Sequence, residues 1–103
     1  MIIYEVNHDV DKKIEKEYTA WLEAHIQEML GFVGFESIDW YTRANEDDPQ
    51  TVCWSIHYHV QSMSDLQAYL DTHAERMKAD GANRFGGSYR ANRRILSLHR
   101  HVE

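Results

Sequence analysis

Hydrophobic and polar residues alternate along four segments of the chain, and apolar residues recur at helical spacing along two others. Residues 2–8, 32–43, 51–60 and 88–102 are rich in β-branched and aromatic side chains, which favours strands. In residues 51–60 every second side chain is apolar, so one face of that strand is apolar and the other is mixed. Residues 44–50 are polar and contain the only proline, which predicts a hairpin loop.

Two amphipathic helices are predicted between the strands. Apolar residues recur three and four positions apart over residues 14–30 and again over residues 63–77, which gives each segment one apolar face. Gly31 stands where a left-handed residue commonly ends a helix. Ser64 begins a capping-box pattern at the start of the second helix, and we expect Gly81 to end it.

The two halves of the chain repeat a short pattern. WLEAHIQEM at residues 21–29 and YLDTHAERM at residues 69–77 place His25 and His73 in the same slot of their helices. The element order is β-α-β-β-α-β, which predicts a ferredoxin-like α+β fold over residues 1–103 as a single domain. Its antiparallel sheet would have the order 4-1-3-2, with both helices on one face. Both histidines should then lie at the helix–sheet interface.

The second face of the sheet has no helix to cover it. Successive strand residues alternate between faces, so we expect part of one apolar set to face away from the helices: Ile3, Phe32, Ile38, Trp40 and Tyr41. A second copy of the sheet would cover such a surface. The sequence therefore predicts a homodimeric α+β barrel.

The chain resembles a family of small bacterial proteins known as a domain of unknown function, within the dimeric α+β-barrel group. The resemblance covers almost the whole chain and is carried by MIIYEV, WLEAHIQEML, SMSDLQAYLDTHA and the RFGG that follows. It implies the ferredoxin-like fold and a dimer, but no activity. More distant members of the same fold resemble cofactor-free monooxygenases, muconolactone-isomerase-like enzymes and small-ligand binders. Gln27 stands where proline is common in the family.

The apolar faces of the predicted strands and helices carry a candidate ligand pocket. Histidine and aromatic side chains at these positions could hold an aromatic or hydrophobic small molecule, and a histidine could transfer protons. The competing interpretation is structural, because buried imidazoles are usually hydrogen-bonded packing residues. The candidate residues are Tyr4, Trp21, His25, Trp54, Tyr58, Tyr69 and His73.

Two His-x-His pairs, at residues 57–59 and 99–101, have a spacing that metal sites use. In the predicted sheet they would lie about 10 Å apart, which is two strand spacings. One ion would then lack the three or four converging ligands that it needs. We therefore predict no metal site, and no phosphate loop or dinucleotide fingerprint indicates a cofactor.

The C-terminal segment is basic in an otherwise acidic chain. The net charge is −6, whereas residues 76–103 carry seven bases against two acids. Arg90, Arg93 and Arg94 form a candidate anion site, since guanidinium groups match carboxylates and phosphates. The alternative is a charged edge strand that resists unwanted pairing.

Composition narrows the function without naming it. The acidic whole argues against nucleic acid as a partner. The chain lacks an apolar run long enough to span a membrane, and a single cysteine with no secretory signal favours the cytoplasm. The sequence predicts a homodimeric binder of a small molecule or a cofactor-free enzyme. A non-catalytic interaction or regulatory dimer remains the alternative, and whether the protein is an enzyme stays open.

Overall fold

Four strands and three α-helices make up the computed structural model, which describes residues 1–44 and 48–103. In chain order they are β1 (Ile2–Asp11), α1 (Glu15–Met29), β2 (Phe35–Thr42), β3 (Thr51–Val60), α2 (Met63–Thr72), α3 (Ala74–Phe85) and β4 (Tyr89–Ser97). Short 3-10 turns precede α1 and β4. No helix in the described part of the chain is long and apolar enough to cross a membrane.

All strand pairs are antiparallel, and the sheet order is β2-β3-β1-β4. This is the predicted order 4-1-3-2 read from the opposite edge, so the ferredoxin-like α+β fold is confirmed. Alternate side chains of β1 and β3 enter a core shared with the helices: Tyr4, Val6, Val10, Trp54, Ile56, Tyr58 and Val60. The two central strands, β1 and β3, thus form most of the apolar sheet surface against which the helices pack.

The second helical region differs from its prediction at both ends. Ser62, not Ser64, is the N-cap, and its hydroxyl accepts a hydrogen bond from the Asp65 amide. The helix breaks at His73, whose φ of −121° is not helical, and continues as α3 to Phe85. Gly81 was expected to end the helix, but it lies inside α3 and is buried. A β-carbon at this position would come within 3.0 Å of the Trp21 side chain, so glycine allows a close approach there.

The segments outside the core elements show two further differences from the sequence prediction, at Gly31 and at the end of β4, and one agreement, in the loop at residues 44–50. Gly34, at φ 85°, is the left-handed glycine after α1, whereas Gly31 is not. The predicted 44–50 loop does link two antiparallel strands, although residues 45–47 lie outside the described part of the chain. β4 ends at Ser97, so the second His-x-His pair lies beyond the strand.

The uncovered face of the sheet is mainly polar, contrary to expectation. Ile38 and Trp40 share the helix-facing side with their register partners Tyr58 and Ile56. Phe32 precedes β2 and packs against aromatic side chains at the end of the core. Of the five apolar residues considered for the open face, only Ile3 and Tyr41 have the parity that places them there.

Candidate functional site

A small cavity lies between the helices and the helix-facing side of the sheet. Its volume is about 20 Å³, which is enough for about one water-sized group. All three helices contribute to its wall, together with β1, β3 and β4. The lining residues are Tyr4, Val6, His8, Tyr18, Trp21, His25, Met29, Tyr58, Tyr69, Met77, Lys78, Tyr89, Ala91 and Arg93.

His8 is the most unusual side chain of this cavity. It follows Tyr4 and Val6 on the inward face of β1 and is only 4% exposed. Its Nδ1 lies 2.7 Å from the hydroxyl of Tyr18 on α1, while its Nε2 is buried without a hydrogen-bond partner among the described residues. Burial, followed by the nearby positive charge of Arg93, lowers the pKa of His8 to about 3. The imidazole is therefore neutral at physiological pH.

Trp21 and His25 form the α1 side of the wall. One helical turn separates them, and their rings stack with centroids 4.6 Å apart. The Trp21 indole N–H donates a hydrogen bond of 2.7 Å to Asp80 on α3. Burial lowers the pKa of His25, although nearby carboxylates oppose that effect.

Gly81 lets α3 approach this wall closely. A β-carbon at this position would lie 3.0 Å from the Trp21 ring and 3.1 Å from the Tyr89 hydroxyl. Both neighbours are packed against Phe85 and Tyr18. The glycine therefore serves helix packing instead of helix termination.

Several phenol groups surround His8. Burial raises the pKa of each of five tyrosines, so every phenol keeps its proton near neutral pH: Tyr4, Tyr18, Tyr58, Tyr69 and Tyr89. The positive charge of Arg93 opposes the effect of burial on the pKa of Tyr4. The cavity thus has an aromatic wall with protonated hydroxyl groups that can donate to a bound acceptor.

The predicted pocket residues do not all meet. Five of them line the cavity: Tyr4, Trp21, His25, Tyr58 and Tyr69. Trp54 packs edge-on against Trp40 with ring centroids 5.1 Å apart, outside the cavity lining. His73 stacks on Phe32 at 4.4 Å and lines a different, shallower depression of about 130 Å³. The two histidines of the repeat therefore share an aromatic stacking role, but they do not share a pocket.

The three arginines of the candidate anion site point to different faces of the sheet. Arg93 pairs in register with Val6 and lines the helix-side cavity. Arg90 and Arg94 lie on the open face. Period-two alternation along β4 separates them, so the three side chains do not converge on one ion.

On the open face, Glu5 is the centre of a polar network. Its register neighbours are His57 on β3 and Arg94 on β4. His57 Nε2 lies 2.9 Å from one carboxylate oxygen of Glu5, and Arg94 donates to the other at 2.6 Å. These contacts, with the Arg94 hydrogen bond the largest, lower the pKa of Glu5 to about 2.

Two further histidines have carboxylate partners of their own. His59 lies 2.8 Å from Asp39, and His101 lies 3.3 Å from Glu103 in the C-terminal segment. Within residues 1–44 and 48–103, no group of three or more histidine, cysteine or carboxylate side chains is arranged to hold a metal ion.

Sequence reasoning missed His8, Tyr18 and Tyr89 as members of the site. His8 shares the strand parity of Tyr4, and Tyr18 lies on the apolar stripe of α1. The period-two and helical patterns could therefore have found them. Neither pattern indicates the hydrogen bond that couples the two residues.

The fold and this cavity define a ferredoxin-like α+β protein with an aromatic site between its helices and its sheet. Residues 1–99 match the family described as a domain of unknown function, DUF4286, and the chain belongs to that family. The resemblance predicted from the sequence is thereby confirmed. A search of the curated proteins found no significant match.

Solved structures with the same fold include proteins described as oxygenases and one described as a heme-degrader. A proposed antibiotic biosynthesis monooxygenase from Deinococcus radiodurans has a TM-score of 0.70 at 10% identity, covering 100% of this chain and 97% of the other. SnoaB, described as a cofactor-independent oxygenase from Streptomyces nogalater, has a TM-score of 0.66 at 8% identity, with 98% and 96% covered. The heme-degrader MhuD from Mycobacterium tuberculosis has a TM-score of 0.64 at 12% identity, with 98% and 99% covered. At such identities the likeness shows the fold alone.

Proposed function

We propose that this protein binds a small molecule in the helix–sheet cavity. One observation carries the proposal: the Nε2 atom of His8 is buried beside the cavity with no hydrogen-bond partner among the described residues. Leaving such a group unsatisfied costs about 1–3 kcal/mol, which core residues rarely tolerate. A ligand atom in the cavity would satisfy this nitrogen in place of the single water molecule that the volume admits.

Binding is better supported than proton abstraction by His8. The pKa of His8 is about 3, and each pKa unit corresponds to about 1.4 kcal/mol. Protonating the ring at neutral pH would therefore cost roughly 5 kcal/mol. A cofactor-free enzyme remains a form of this proposal, because the similar SnoaB is described as a cofactor-independent oxygenase, but His8 would then bind and orient the substrate.

The size of the cavity favours a second candidate function, a non-catalytic interaction or regulatory module. A volume of about 20 Å³ is far below the 300–1,000 Å³ that is usual for ligand sites.

A larger ligand would require the wall formed by α3 to move outward. α3 is bounded by the helix break at His73 and by Gly86, which has a φ of 55°. These breaks are the positions at which such a movement would be easiest.

We also propose that the protein is a homodimer whose sheets meet through their open faces. A similar structure, from an uncultured marine organism, is described as a dimeric ferredoxin-like protein and has a TM-score of 0.51. The Glu5 network supplies ordered polar groups for such a contact, and Ile3 and Leu96 add apolar area beside it. Sedimentation equilibrium at high micromolar concentration should give twice the monomer mass. A single species of monomer mass would contradict the dimer.

A fragment screen by thermal shift tests the binding function. Ala91 lines the cavity, so Ala91→Leu should fill it, while Ala79→Leu on the exposed side of α3 serves as the control. Fragments that raise the melting temperature of the wild type should lose their effect in Ala91→Leu and keep it in the control. The proposal fails if no fragment stabilises the wild type, or if every effect survives in Ala91→Leu.

A further inference from the structure

The lining of the cavity is positively charged in a negatively charged protein. The chain has 17 acidic and 11 basic residues, yet the cavity lining contains Arg93 and Lys78 and no aspartate or glutamate. Neither cation forms an ion pair within residues 1–44 and 48–103. The charge at this site is thus opposite in sign to the net charge of the chain.

Carboxylates near the cavity already have cationic partners. Glu28 accepts a hydrogen bond of 2.9 Å from Arg76, and Asp80 lies 3.5 Å from Arg84. Asp80 also accepts the indole N–H of Trp21. Arg93 and Lys78, which are both exposed, are thus the cations of the lining without an ion-pair partner among the described residues.

Arg93 acts on the whole cavity. Its positive charge contributes to the shifted pKa of every perturbed histidine and tyrosine around it: Tyr4, His8, Tyr18, His25, Tyr58, Tyr69 and Tyr89. A guanidinium has five N–H donors, and these can form a paired contact with a carboxylate.

The 2.7 Å contact between the Nδ1 atom of His8 and the Tyr18 hydroxyl fits either neutral tautomer of the imidazole. In one of them the phenol, which burial keeps protonated, donates to Nδ1 and the ring proton is on Nε2. In that tautomer the unpartnered atom is a hydrogen-bond donor that requires an acceptor.

We infer that the ligand of this cavity is a small aromatic organic acid bound as its carboxylate anion, held by Arg93 and by the Nε2–H of His8. This inference rests on the proposed binding function. The 20 Å³ cavity admits part of a head group, and the ring of the ligand would occupy the space opened by the outward movement of α3 that any larger ligand requires. Lys78, which is exposed at the rim, would attract the anion as it approaches.

Benzoate and its neutral isostere benzamide provide a direct test. Each is titrated at millimolar concentration into the wild-type protein, followed by nuclear magnetic resonance of the backbone amides and of the His8 ring. We expect benzoate to shift the His8 resonances and to bind about tenfold to a hundredfold more tightly than benzamide, since a charge-assisted contact is lost in the amide. Arg93→Gln should lose a similar factor for benzoate, so that the preference for benzoate over benzamide disappears.

Arg100→Gln is the matched control, because it removes the same charge from the C-terminal segment beyond β4. It should leave benzoate affinity unchanged. Equal affinity for the two compounds, or unchanged benzoate affinity in Arg93→Gln, would overturn the anionic ligand while leaving the binding function intact. Absence of benzoate binding also overturns it, whereas the binding function fails only if the fragment screen finds no ligand that depends on the cavity.

Discussion

The Nδ1 atom of His8 and the hydroxyl of Tyr18 lie 2.7 Å apart in the core, between the central strand and the first helix. Tyr18 is fully buried, and His8 is 4% exposed. One polar contact thus joins two elements that otherwise pack through apolar side chains. It orients the imidazole, which lines the cavity and whose Nε2 atom has no hydrogen-bond partner among the described residues.

Tyr18→Phe should destabilise the protein by about 1–3 kcal/mol, because the Nδ1 atom of a buried histidine loses its partner. Tyr58→Phe is the matched control. Tyr58 is equally buried and lines the same cavity, but its hydroxyl makes no hydrogen bond within the described residues. Tyr58→Phe should therefore change the free energy of unfolding by no more than about 0.5 kcal/mol. Urea unfolding compares the two variants, and equal losses would show that the His8–Tyr18 contact contributes little.

The buried, neutral state of His8 should make the protein less stable in acid. Its pKa is about 3 in the folded protein and about 6.5 in an unfolded chain, so the unfolded state binds the proton first. The contribution of His8 to the free energy of unfolding is therefore at its full value above pH 6.5. As the pH drops toward 3, the free energy of unfolding falls by up to about 1.4 kcal/mol per pH unit. The His8 ring resonances should stay constant between pH 8 and pH 5. A titration midpoint near pH 6.5 in the folded protein would contradict this prediction.

Glu5 should contribute a separate loss at lower pH. Its pKa of about 2 lies below the usual value of 4.5. Ionised Glu5 therefore adds its full contribution to the free energy of unfolding above pH 4.5, and that contribution disappears as the pH falls toward 2. Because Arg94 is 66% exposed and solvent screens its charge, we expect about 1–2 kcal/mol. Glu5→Gln should remove this part of the acid transition. Identical profiles for the variant and the wild type would show that the Glu5 network does not stabilise the fold.

Gly81→Ala should destabilise the protein even though alanine favours helices by about 1 kcal/mol. The new β-carbon would press on Trp21 and Tyr89, which aromatic neighbours hold in place, and such overpacking costs about 1–3 kcal/mol. Ala82→Gly on the exposed side of α3 measures the helix preference alone. Thermal unfolding of both variants tests this prediction. A higher melting temperature for Gly81→Ala than for the wild type would mean that the Trp21 and Tyr89 side chains shift easily to make room.

Most of the fold could be predicted because the hydrophobic period changes sharply between strands and helices. The prediction of the second helical region was less accurate, because a glycine in a sequence can either end a helix or allow close packing inside one. At Gly81 it permits a close approach of α3 to Trp21, which depends on a residue sixty positions away. The break at His73 likewise leaves no local signal, because its ring stacks on Phe32 from another connection.

The candidate site was predicted in part for a related reason. Strand and helix parity selects Tyr4, Tyr58 and Tyr69, which do line the cavity. The same parity rule separates Arg93 from Arg94 by face, although the residues are adjacent in the chain. The contact of His8 with Tyr18 depends on how α1 lies across β1, and a single sequence does not contain that packing.

The two repeated histidines provide the last prediction. His25 stacks on Trp21 and His73 stacks on Phe32; both rings are half-buried, and neither forms a hydrogen bond within the described residues. Replacing either with alanine should therefore cost about 0.5–1.5 kcal/mol, the range of an aromatic pair. A fully buried, hydrogen-bonded packing residue would cost roughly 2–4 kcal/mol.

Urea unfolding of His25→Ala and His73→Ala at pH 7.5 and pH 5 tests this range. Since burial lowers the pKa of His25, acid destabilises the wild type at this position and the alanine variant escapes that loss. The difference between wild type and His25→Ala should therefore be smaller at pH 5. Losses above about 2 kcal/mol at pH 7.5 would restore the hydrogen-bonded packing role. Losses below about 0.5 kcal/mol at both positions would instead make the two histidines the first candidates for direct ligand contact.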